Sequence, residues 1–175
     1  REDFRTRLGS GTPIHMHELL YPLFQGYDSV AVEADVELGG NDQYWNLLVG
    51  RELQREFDME PQVVMTMPLL VGLDGSMKMS KSYGNYVSIS DPATDMFGKL
   101  MSIPDALTMD YFRLCTGRDD GELKAIAARL ASGENPRDIK AGLARDIITL
   151  YHSADDAARA QVEYALQQVR QKEAA

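Results

Sequence analysis

The sequence has few of the residues from which disulfides, metal sites and membrane spans are built. Its 175 residues include one cysteine, Cys115, and three histidines. A single cysteine excludes an internal disulfide and is typical of a reducing compartment, so we expect a cytoplasmic protein. No stretch approaches about 18 uninterrupted apolar residues, and residues 1–4 do not begin the apolar core of a signal peptide. We therefore expect no membrane partner.

Positive charge is also scarce, with 18 Lys+Arg against 27 Asp+Glu and a net charge of -9. That balance excludes a basic protein that coats nucleic acid through its phosphates. Hydrophobic residues make up 44% of the chain, as in packed globular domains. The charge balance changes near Ser90, because residues 1–90 hold 7 Lys/Arg and 13 Asp/Glu while residues 91–175 hold 11 and 14. We therefore expect two domains, 1–90 and 91–175.

The first part alternates helix and strand patterns. Apolar residues at helical spacing predict a helix over residues 17–27, with Pro22 in its first turn or at a kink. Residues 36–38 predict a strand that ends at a pair of glycines. Asn41 or Asp42 is expected to cap the next helix. A buried strand is predicted over residues 62–71, followed by a turn at Asp-Gly, so the element order indicates an α/β sheet.

The second part is predicted to be entirely helical. Ser90 as a cap and Pro92 in the first turn predict a helix that runs to about Met101. Three later apolar stripes have helical spacing, and we expect them to be buried in a bundle of about five helices. The stripes are Leu123, Ile126, Ala127 and Leu130; Ile139, Leu143, Ile147 and Leu150; and Val162, Ala165, Leu166 and Val169.

Three groups of residues are candidates for chemistry. Tyr21, Gln25 and Asp28 lie at i, i+4 and i+7, so they share one face of a helix that either lines a site or is a partly exposed amphipathic surface. The segment from Gly39 to Gln43 joins a strand to a helix. Its glycines let a ligand approach the backbone and the helix N-terminus attracts anions, although a Gly-Gly pair is also common in simple tight turns.

The third group is the pentapeptide Lys-Met-Ser-Lys-Ser at residues 78–82, which we call the signature loop. Two ammonium groups and two hydroxyls on a glycine-flanked loop can bind phosphate oxygens. They accelerate a reaction when they engage charge that develops on a leaving pyrophosphate. A generic Lys-x-x-Lys is usually a solvated loop, but this pentapeptide is far more specific.

The pentapeptide resembles the signature loop of class I aminoacyl-tRNA synthetases, and the other two groups resemble the bacterial tyrosyl-tRNA synthetase family within that class. The resemblance covers nearly all 175 residues. It implies an α/β fold, the second half of a Rossmann-like nucleotide-binding catalytic domain, followed by an all-helical domain that contacts tRNA. It also implies a tyrosine–tRNA ligase with tyrosine, ATP and tRNA(Tyr) as partners, and a homodimer in the full-length protein.

The resemblance also implies the role of each site residue. For tyrosine, Tyr21 and Gln25 would hold the α-ammonium, Gln43 would help to fix the amino-acid end, and Asp28 would accept a hydrogen bond from the phenol. Phenylalanine would leave a buried Asp28 without its donor, which is costly. For ATP, the implied residues are Gly39, Gly40 and Asp42 at the ribose, the backbone of Leu70 and Met79 near adenine, and Lys78, Lys81 and Ser82 at the pyrophosphate. Mg²⁺ would come with ATP, and no protein-bound metal is expected.

The sequence departs from the family pattern in two respects, one of which is that the family's other tyrosine-binding residues, a further phenol and a carboxylate among them, have no counterpart here. Class I synthetases carry a His-x-Gly-His motif that helps to hold the ATP phosphates, and His15-Met16-His17 has neither its spacing nor its glycine. We interpret His15 and His17 as helix-entry residues that form no metal site, since positions i and i+2 face different ways. We expect a chain cut before Arg1, inactive by itself, and without the basic RNA-binding module that often ends such synthetases.

Two other functions stay open at this point. A tryptophan-specific relative shares the fold and the loop, but the Gln25/Asp28 pair suits a phenol better than an indole. A non-catalytic fragment that binds RNA or protein through its helical part is the alternative from another class. Six basic residues are candidates for a local RNA-binding face and are equally well explained as solvated helix surface: Arg113, Lys124, Arg129, Arg137, Lys140 and Arg145.

Overall fold

The structure is a computed structural model that describes residues 2–173. The chain divides into two compact units, one that ends at Leu69 and one that begins at Leu70. Residues 70–90, which include the signature loop, therefore pack with the helices that follow them. The functional domains at 1–90 and 91–175 stay a prediction.

The first unit is a two-stranded parallel sheet with helices, as the α/β prediction requires. Its elements are α1 (Glu2–Gly9), α2 (Met16–Ala31), β1 (Val36–Gly40), α3 (Tyr44–Glu56) and β2 (Val63–Met67). The strands pair in register from Val36 opposite Val63 to Gly40 opposite Met67. Helices α2 and α3 pack closely at Gly26, where an added Cβ would lie 3.0 Å from both Leu53 and Val49. The small residue therefore sets the distance between the two helices.

Pro22 lies in the interior of α2, because that helix begins at Met16 and extends to Ala31, so of its two predicted positions the first turn is excluded. Two other local predictions for the first unit were wrong. Neither Asn41 nor Asp42 caps α3, since Asn41–Gln43 forms a 3₁₀ turn that leads directly into the helix. Strand β2 is not buried, because alternate side chains from Val63 to Met67 are exposed. The pattern identified a strand but could not show whether its outer face is covered.

The second unit contains, within the described residues, the five helices that the sequence predicted. They are α4 (Ala93–Met101), α5 (Thr108–Cys115), α6 (Asp120–Ala131), α7 (Pro136–Tyr151) and α8 (Ala154–Glu173). Helices α4, α7 and α8 form the centre, with Met96, Phe97, Leu100, Leu143 and Ile148 fully buried. Asn135 caps α7 by accepting a hydrogen bond from the Arg137 N–H at 3.0 Å.

Two details of the helical prediction were wrong. The N-cap of α4 is Pro92, with no side-chain hydrogen bond, so Ser90 is not the cap. Parts of the predicted stripes are not in the core: Val162, Leu166 and Val169 of α8 are exposed, as are Ala127 of α6 and Leu150 of α7, and the buried residues of α8 are Ala157 and Ala160. The small alanines let α8 approach its neighbours, and the larger residues point away from them.

A helix needs about 20 largely apolar residues to cross a bilayer. Among residues 2–173, no helix is both long enough and apolar enough to do so.

Candidate functional site

The glycine pair lies where β1 ends, at the edge of the sheet where parallel strands of such folds hold ligands. An added Cβ at Gly40 would come 2.6 Å from Asp42 Oδ1 and 2.7 Å from Leu69 Cδ2, and one at Gly39 would come 3.0 Å from Leu47 Cδ1. The close approach that the sequence predicted for a ligand is therefore made, in this structure, by the chain's own side chains. A larger residue at Gly40 would displace Asp42.

Asn46, in the first turn of α3, brings two of the predicted tyrosine-binding residues together. It is 1% exposed, and its Nδ2 donates hydrogen bonds to Gln25 Oε1 and Gln43 Oε1, both at 3.0 Å. Gln43 in turn donates to Asp42 Oδ2 at 3.3 Å. The sequence analysis gave Asn46 no role, although its position three residues after Gln43 places both on one helix face. Gln25, Asp42 and Gln43 therefore form one polar cluster around Asn46.

The other two residues of the α2 group lie on the surface of the chain. Tyr21 is 56% exposed, and Asp28 is exposed as well. The argument for phenol selection requires a buried Asp28, and the described part of the chain does not bury it. Tyr21 and Asp28 are accessible to a ligand, whereas the side chain of Gln25 is fixed by its hydrogen bond from Asn46.

A second polar network in the same unit joins the strands to the helices. Gln54, on α3, accepts a hydrogen bond from the Gln62 N–H at 2.7 Å and donates to the Ala34 carbonyl at 2.9 Å. Glu37, on β1, accepts from Gln62 Nε2 at 2.5 Å and from the Ser29 hydroxyl at 2.7 Å. Gln54 and Gln62 are buried, so the network fixes one arrangement of these elements.

The signature loop is one arm of a short hairpin in the second unit. Val71 pairs antiparallel with Lys78, and the Met79 N–H donates to the Leu70 carbonyl at 2.8 Å. The hairpin turns at Asp74 and Gly75, where the glycine has φ +78°, as the Asp-Gly pair predicted. The hairpin presents the side chains of Lys78, Lys81 and Ser82 on its exposed surface. Two cations and a hydroxyl there are suited to binding phosphate oxygens.

The side chains of Leu70 and Met79 point into the helical unit. With Met96, Leu100 and Tyr111 they line a cavity of about 200 Å³ on the inner side of the hairpin. The Tyr111 hydroxyl donates a hydrogen bond to the Val71 carbonyl at 2.6 Å, and burial raises the pKa of Tyr111 to about 12. These contacts fasten the base of the hairpin to α5. Leu70 and Met79 are thus anchored by their side chains.

The single cysteine and the two histidines before α2 have structural positions. Burial raises the pKa of the Cys115 thiol to about 11, so the thiol is protonated at neutral pH. His15 is the N-cap residue of α2, and its backbone is extended and not helical, so its ring stacks on that of His17 with centroids 5.5 Å apart although the two were expected to face different ways. Over residues 2–173, no three His, Cys, Asp or Glu side chains come together in a group that could hold a metal ion.

Comparison with known proteins gives a consistent pattern. The family model described as tRNA synthetases class I (W and Y) matches residues 1–167. The tyrosine–tRNA ligase of Bordetella avium is 59% identical over 160 residues, which are 91% of this chain and 39% of that protein. The corresponding ligase of Photobacterium profundum is 54% identical over 94% of this chain and 42% of its own length. The chain thus spans about two fifths of the length of these curated relatives.

Solved structures are similar as well. The tyrosyl-tRNA synthetase of Archaeoglobus fulgidus, solved with L-tyrosine, has a TM-score of 0.61 at 26% identity, covering 83% of this chain and 52% of that one. A C-terminally truncated mitochondrial tyrosyl-tRNA synthetase of Aspergillus nidulans has a TM-score of 0.69 at 19% identity, covering 95% and 49%. The second likeness shows the fold alone.

Proposed function

The chain belongs to the class I tRNA synthetases for tryptophan and tyrosine (W and Y), and from that premise we propose that it is part of a tyrosine–tRNA ligase. Such an enzyme activates tyrosine with ATP to tyrosyl-adenylate and transfers the tyrosyl group to tRNA(Tyr). The observation that carries the proposal is the cluster in which Asn46 joins Gln25 to Gln43 at the end of β1. Amide groups from two helices meet in this cluster, which supports the proposal of an amino-acid site there.

In this proposal the first unit binds tyrosine. Tyr21 and Gln25 hold the α-ammonium, Gln43 helps to fix the amino-acid end, and Asp28 accepts the phenol hydrogen bond. The amide oxygens of Gln25 and Gln43 each accept from Asn46 and have a second lone pair for a substrate donor. Asp28 selects against phenylalanine when the bound tyrosine and the rest of the enzyme exclude water from it.

The ATP residues are proposed in two groups. Gly39, Gly40 and Asp42 lie at the ribose, and the backbone of Leu70 and Met79 lies near adenine. Lys78, Lys81 and Ser82 stabilise the pyrophosphate as the tyrosine carboxylate attacks the α-phosphate. The attack needs no covalent enzyme intermediate, so the protein contributes binding, orientation and charge stabilisation.

Several finer points are part of the same proposal. Mg²⁺ enters with ATP, held by the phosphates. The full-length protein is a cytoplasmic homodimer, and its tRNA partner is recognised at a few local basic positions because the chain carries a net charge of -9. The chain alone forms no adenylate, since its sequence has no His-x-Gly-His motif to hold the ATP phosphates.

The test is amino-acid-dependent exchange of pyrophosphate into ATP, measured in a full-length protein that carries this chain. We expect exchange with tyrosine, and a loss of about 10²-fold or more in kcat/KM when Lys78→Ala and Lys81→Ala are combined, because both cations face developing charge. Lys124→Ala, an exposed lysine on α6, is the matched control and should leave exchange unchanged. An undiminished rate in the double variant would contradict the role of the loop.

The same assay separates the alternatives. Exchange with tryptophan instead of tyrosine would identify the tryptophan-specific relative, against which the Gln25/Asp28 pair argues. Absence of exchange with either amino acid would favour the non-catalytic alternative. Clear exchange by the isolated chain would contradict the need for a His-x-Gly-His motif.

A further inference from the structure

Asn85 lies just after the signature loop in the sequence, and its side chain forms hydrogen bonds with the backbone of that loop. It is 6% exposed, and its Oδ1 accepts a hydrogen bond from the Ser80 N–H at 2.8 Å. Its Nδ2 donates to the Lys78 carbonyl at 3.2 Å and to a carboxylate oxygen of Asp74. Its own carbonyl accepts from the Leu73 N–H at 2.9 Å. One buried residue therefore joins both arms of the hairpin and its turn, the first arm through its backbone carbonyl and the rest through its side-chain amide.

The surrounding chain is shaped for this side chain. An added Cβ at Gly72 would lie 2.6 Å from the Asn85 carbonyl oxygen and closer still to its side-chain amide, so only glycine fits there. Gly84 has φ +65°, a left-handed conformation that turns the chain back before Asn85. Gly72 thus leaves the space that Asn85 fills, and Gly84 sets the direction of the chain that leads to it.

Asp74 completes the arrangement from the turn of the hairpin. Its carboxylate accepts hydrogen bonds from the Met77 N–H at 2.7 Å and the Ser76 N–H at 2.8 Å, besides the one from Asn85. These bonds, the one from Met77 first, hold the pKa of Asp74 well below its usual range. The carboxylate is therefore ionised at neutral pH and acts only as an acceptor, which fixes the orientation of the Asn85 amide.

We propose that Asn85 is a positioning residue that holds the backbone of Lys78 and Ser80, and through it presents Lys78 and Lys81 to the phosphates of ATP. This inference rests on the proposed function. Lysine side chains are long and flexible, so their charge stabilises a transition state only when the backbone that carries them is already in place. A fixed backbone matters more in the transition state than in the ground state. Loss of Asn85 should accordingly lower kcat more than it raises KM.

The experiment compares Asn85→Ala with Asn135→Ala in a full-length protein that carries this chain. Both asparagines accept a hydrogen bond from a backbone N–H in the same unit, but Asn135 caps α7 away from the loop. We expect Asn85→Ala to lower kcat of tyrosine-dependent pyrophosphate exchange about 10- to 100-fold, with KM for tyrosine unchanged. Asn135→Ala should lower Tm and leave kcat unchanged. A kcat in Asn85→Ala within about twofold of the wild type would overturn the proposal.

A second pair of variants tests the bond between Asn85 and Asp74 and keeps the proposal testable if Asn85→Ala does not fold. Asn85→Asp places a second carboxylate against Asp74 and removes the donor to the Lys78 carbonyl, and adding Asp74→Asn restores the bond between residues 74 and 85 with donor and acceptor exchanged. We expect the double variant to recover at least about threefold of the kcat lost in Asn85→Asp. No recovery of kcat would overturn the proposal, because the restored hydrogen bond between residues 74 and 85 would then have no effect on the rate.

Limited trypsin digestion gives a readout independent of the chemistry. Cleavage after Lys78 and Lys81 should become faster in Asn85→Ala, whereas a general loss of stability would accelerate cleavage throughout the chain. Uniform acceleration would overturn the proposal. Absence of exchange in the wild type would overturn the proposed function itself, whereas normal exchange in both the wild type and Asn85→Ala would overturn only the role of Asn85.

Discussion

The two compact units bury opposite kinds of side chain. In the unit that ends at Leu69, the least exposed residues with large side chains are Asn46, Leu47, Gln54 and Gln62, three of them amides. In the unit that begins at Leu70, they are apolar or aromatic, among them Met96, Phe97, Leu100, Tyr111, Leu143 and Ile148. The strands of the first unit leave Leu38 69% exposed, with Val36, Val63, Met65 and Met67 more than half exposed.

This difference predicts that two physical effects stabilise the two units. Apolar burial stabilises the helical unit, and it depends on area more than on direction. Hydrogen bonds among buried amides fix the first unit, and such bonds hold only at defined distances and angles. The candidate tyrosine-binding cluster lies on the second kind of framework, where a displaced amide would misplace Gln25 and Gln43. The following predictions test this contrast.

The largest effect is expected in the helical core. Leu143→Ala removes a side chain that is 0% exposed and leaves a cavity, so it should lower the free energy of unfolding by about 2–5 kcal/mol. Leu38→Ala, at an exposed strand position, should cost less than about 0.5 kcal/mol. Urea unfolding followed by far-UV circular dichroism measures both. Equal losses would mean that the exposed face of the first unit contributes as much as the helical core.

An intermediate effect is expected in the amide network. Gln54→Ala leaves the Gln62 N–H and the Ala34 carbonyl without their partner, which should cost about 1–3 kcal/mol. Trp45 is the only tryptophan and lies on α3, so its fluorescence during urea unfolding reports on the first unit. Gln167→Ala, an exposed glutamine on α8, is the control and should have no effect. A neutral Gln54→Ala would show that the amides do not hold the unit together.

The smallest effect is expected where the helical unit meets the hairpin. Tyr111→Phe removes the hydrogen bond to the Val71 carbonyl, which should cost about 0.5–1.5 kcal/mol at neutral pH. Burial raises the pKa of Tyr111 from its usual value of 10.0 to about 12, so the native state holds this proton more tightly than the unfolded state. Its contribution is complete below pH 10.0 and is lost as pH rises to about 12.

Urea unfolding of the wild type and of Tyr111→Phe at several pH values tests whether the contribution of Tyr111 to stability falls as pH rises. The stability difference between the two proteins should shrink between pH 10.0 and about 12, and other groups that titrate there cancel in the comparison. A difference that stays constant over this range would mean that the phenol is not the titrating group.

Local sequence signals predicted most of the elements. The helical spacing of the second part predicted its five helices, and the Asp74-Gly75 pair predicted a turn, which the structure shows to be that of a hairpin. The same kind of pattern failed for the stripe on α8 and for the burial of β2. A period of 3.6 or 2 residues shows which side chains share a face, but burial requires another element to cover that face.

The candidate site was also predicted only in part. Gln25 and Gln43 were identified as separate groups 18 residues apart, and only the packing of α2 on α3 brings both within hydrogen-bond distance of Asn46. Asn46 and Asn85 were not assigned any role, because a buried asparagine with several backbone or amide partners has the same sequence signal as an asparagine in any turn or helix.

The sequence by itself determined the chemical groups of this protein: the Lys-Met-Ser-Lys-Ser loop, the polar face of α2 and the glycine turn, together with the helices and strands that carry them. Those features depend on residue type and on spacing along the chain. Tertiary structure alone decided which apolar faces are covered, that Asn46 joins two helices, and that Asn85 and Asp74 hold the signature loop from behind. Hydrogen bonds and burial depend on distances in space, and residues far apart in sequence reach those distances only in the folded chain.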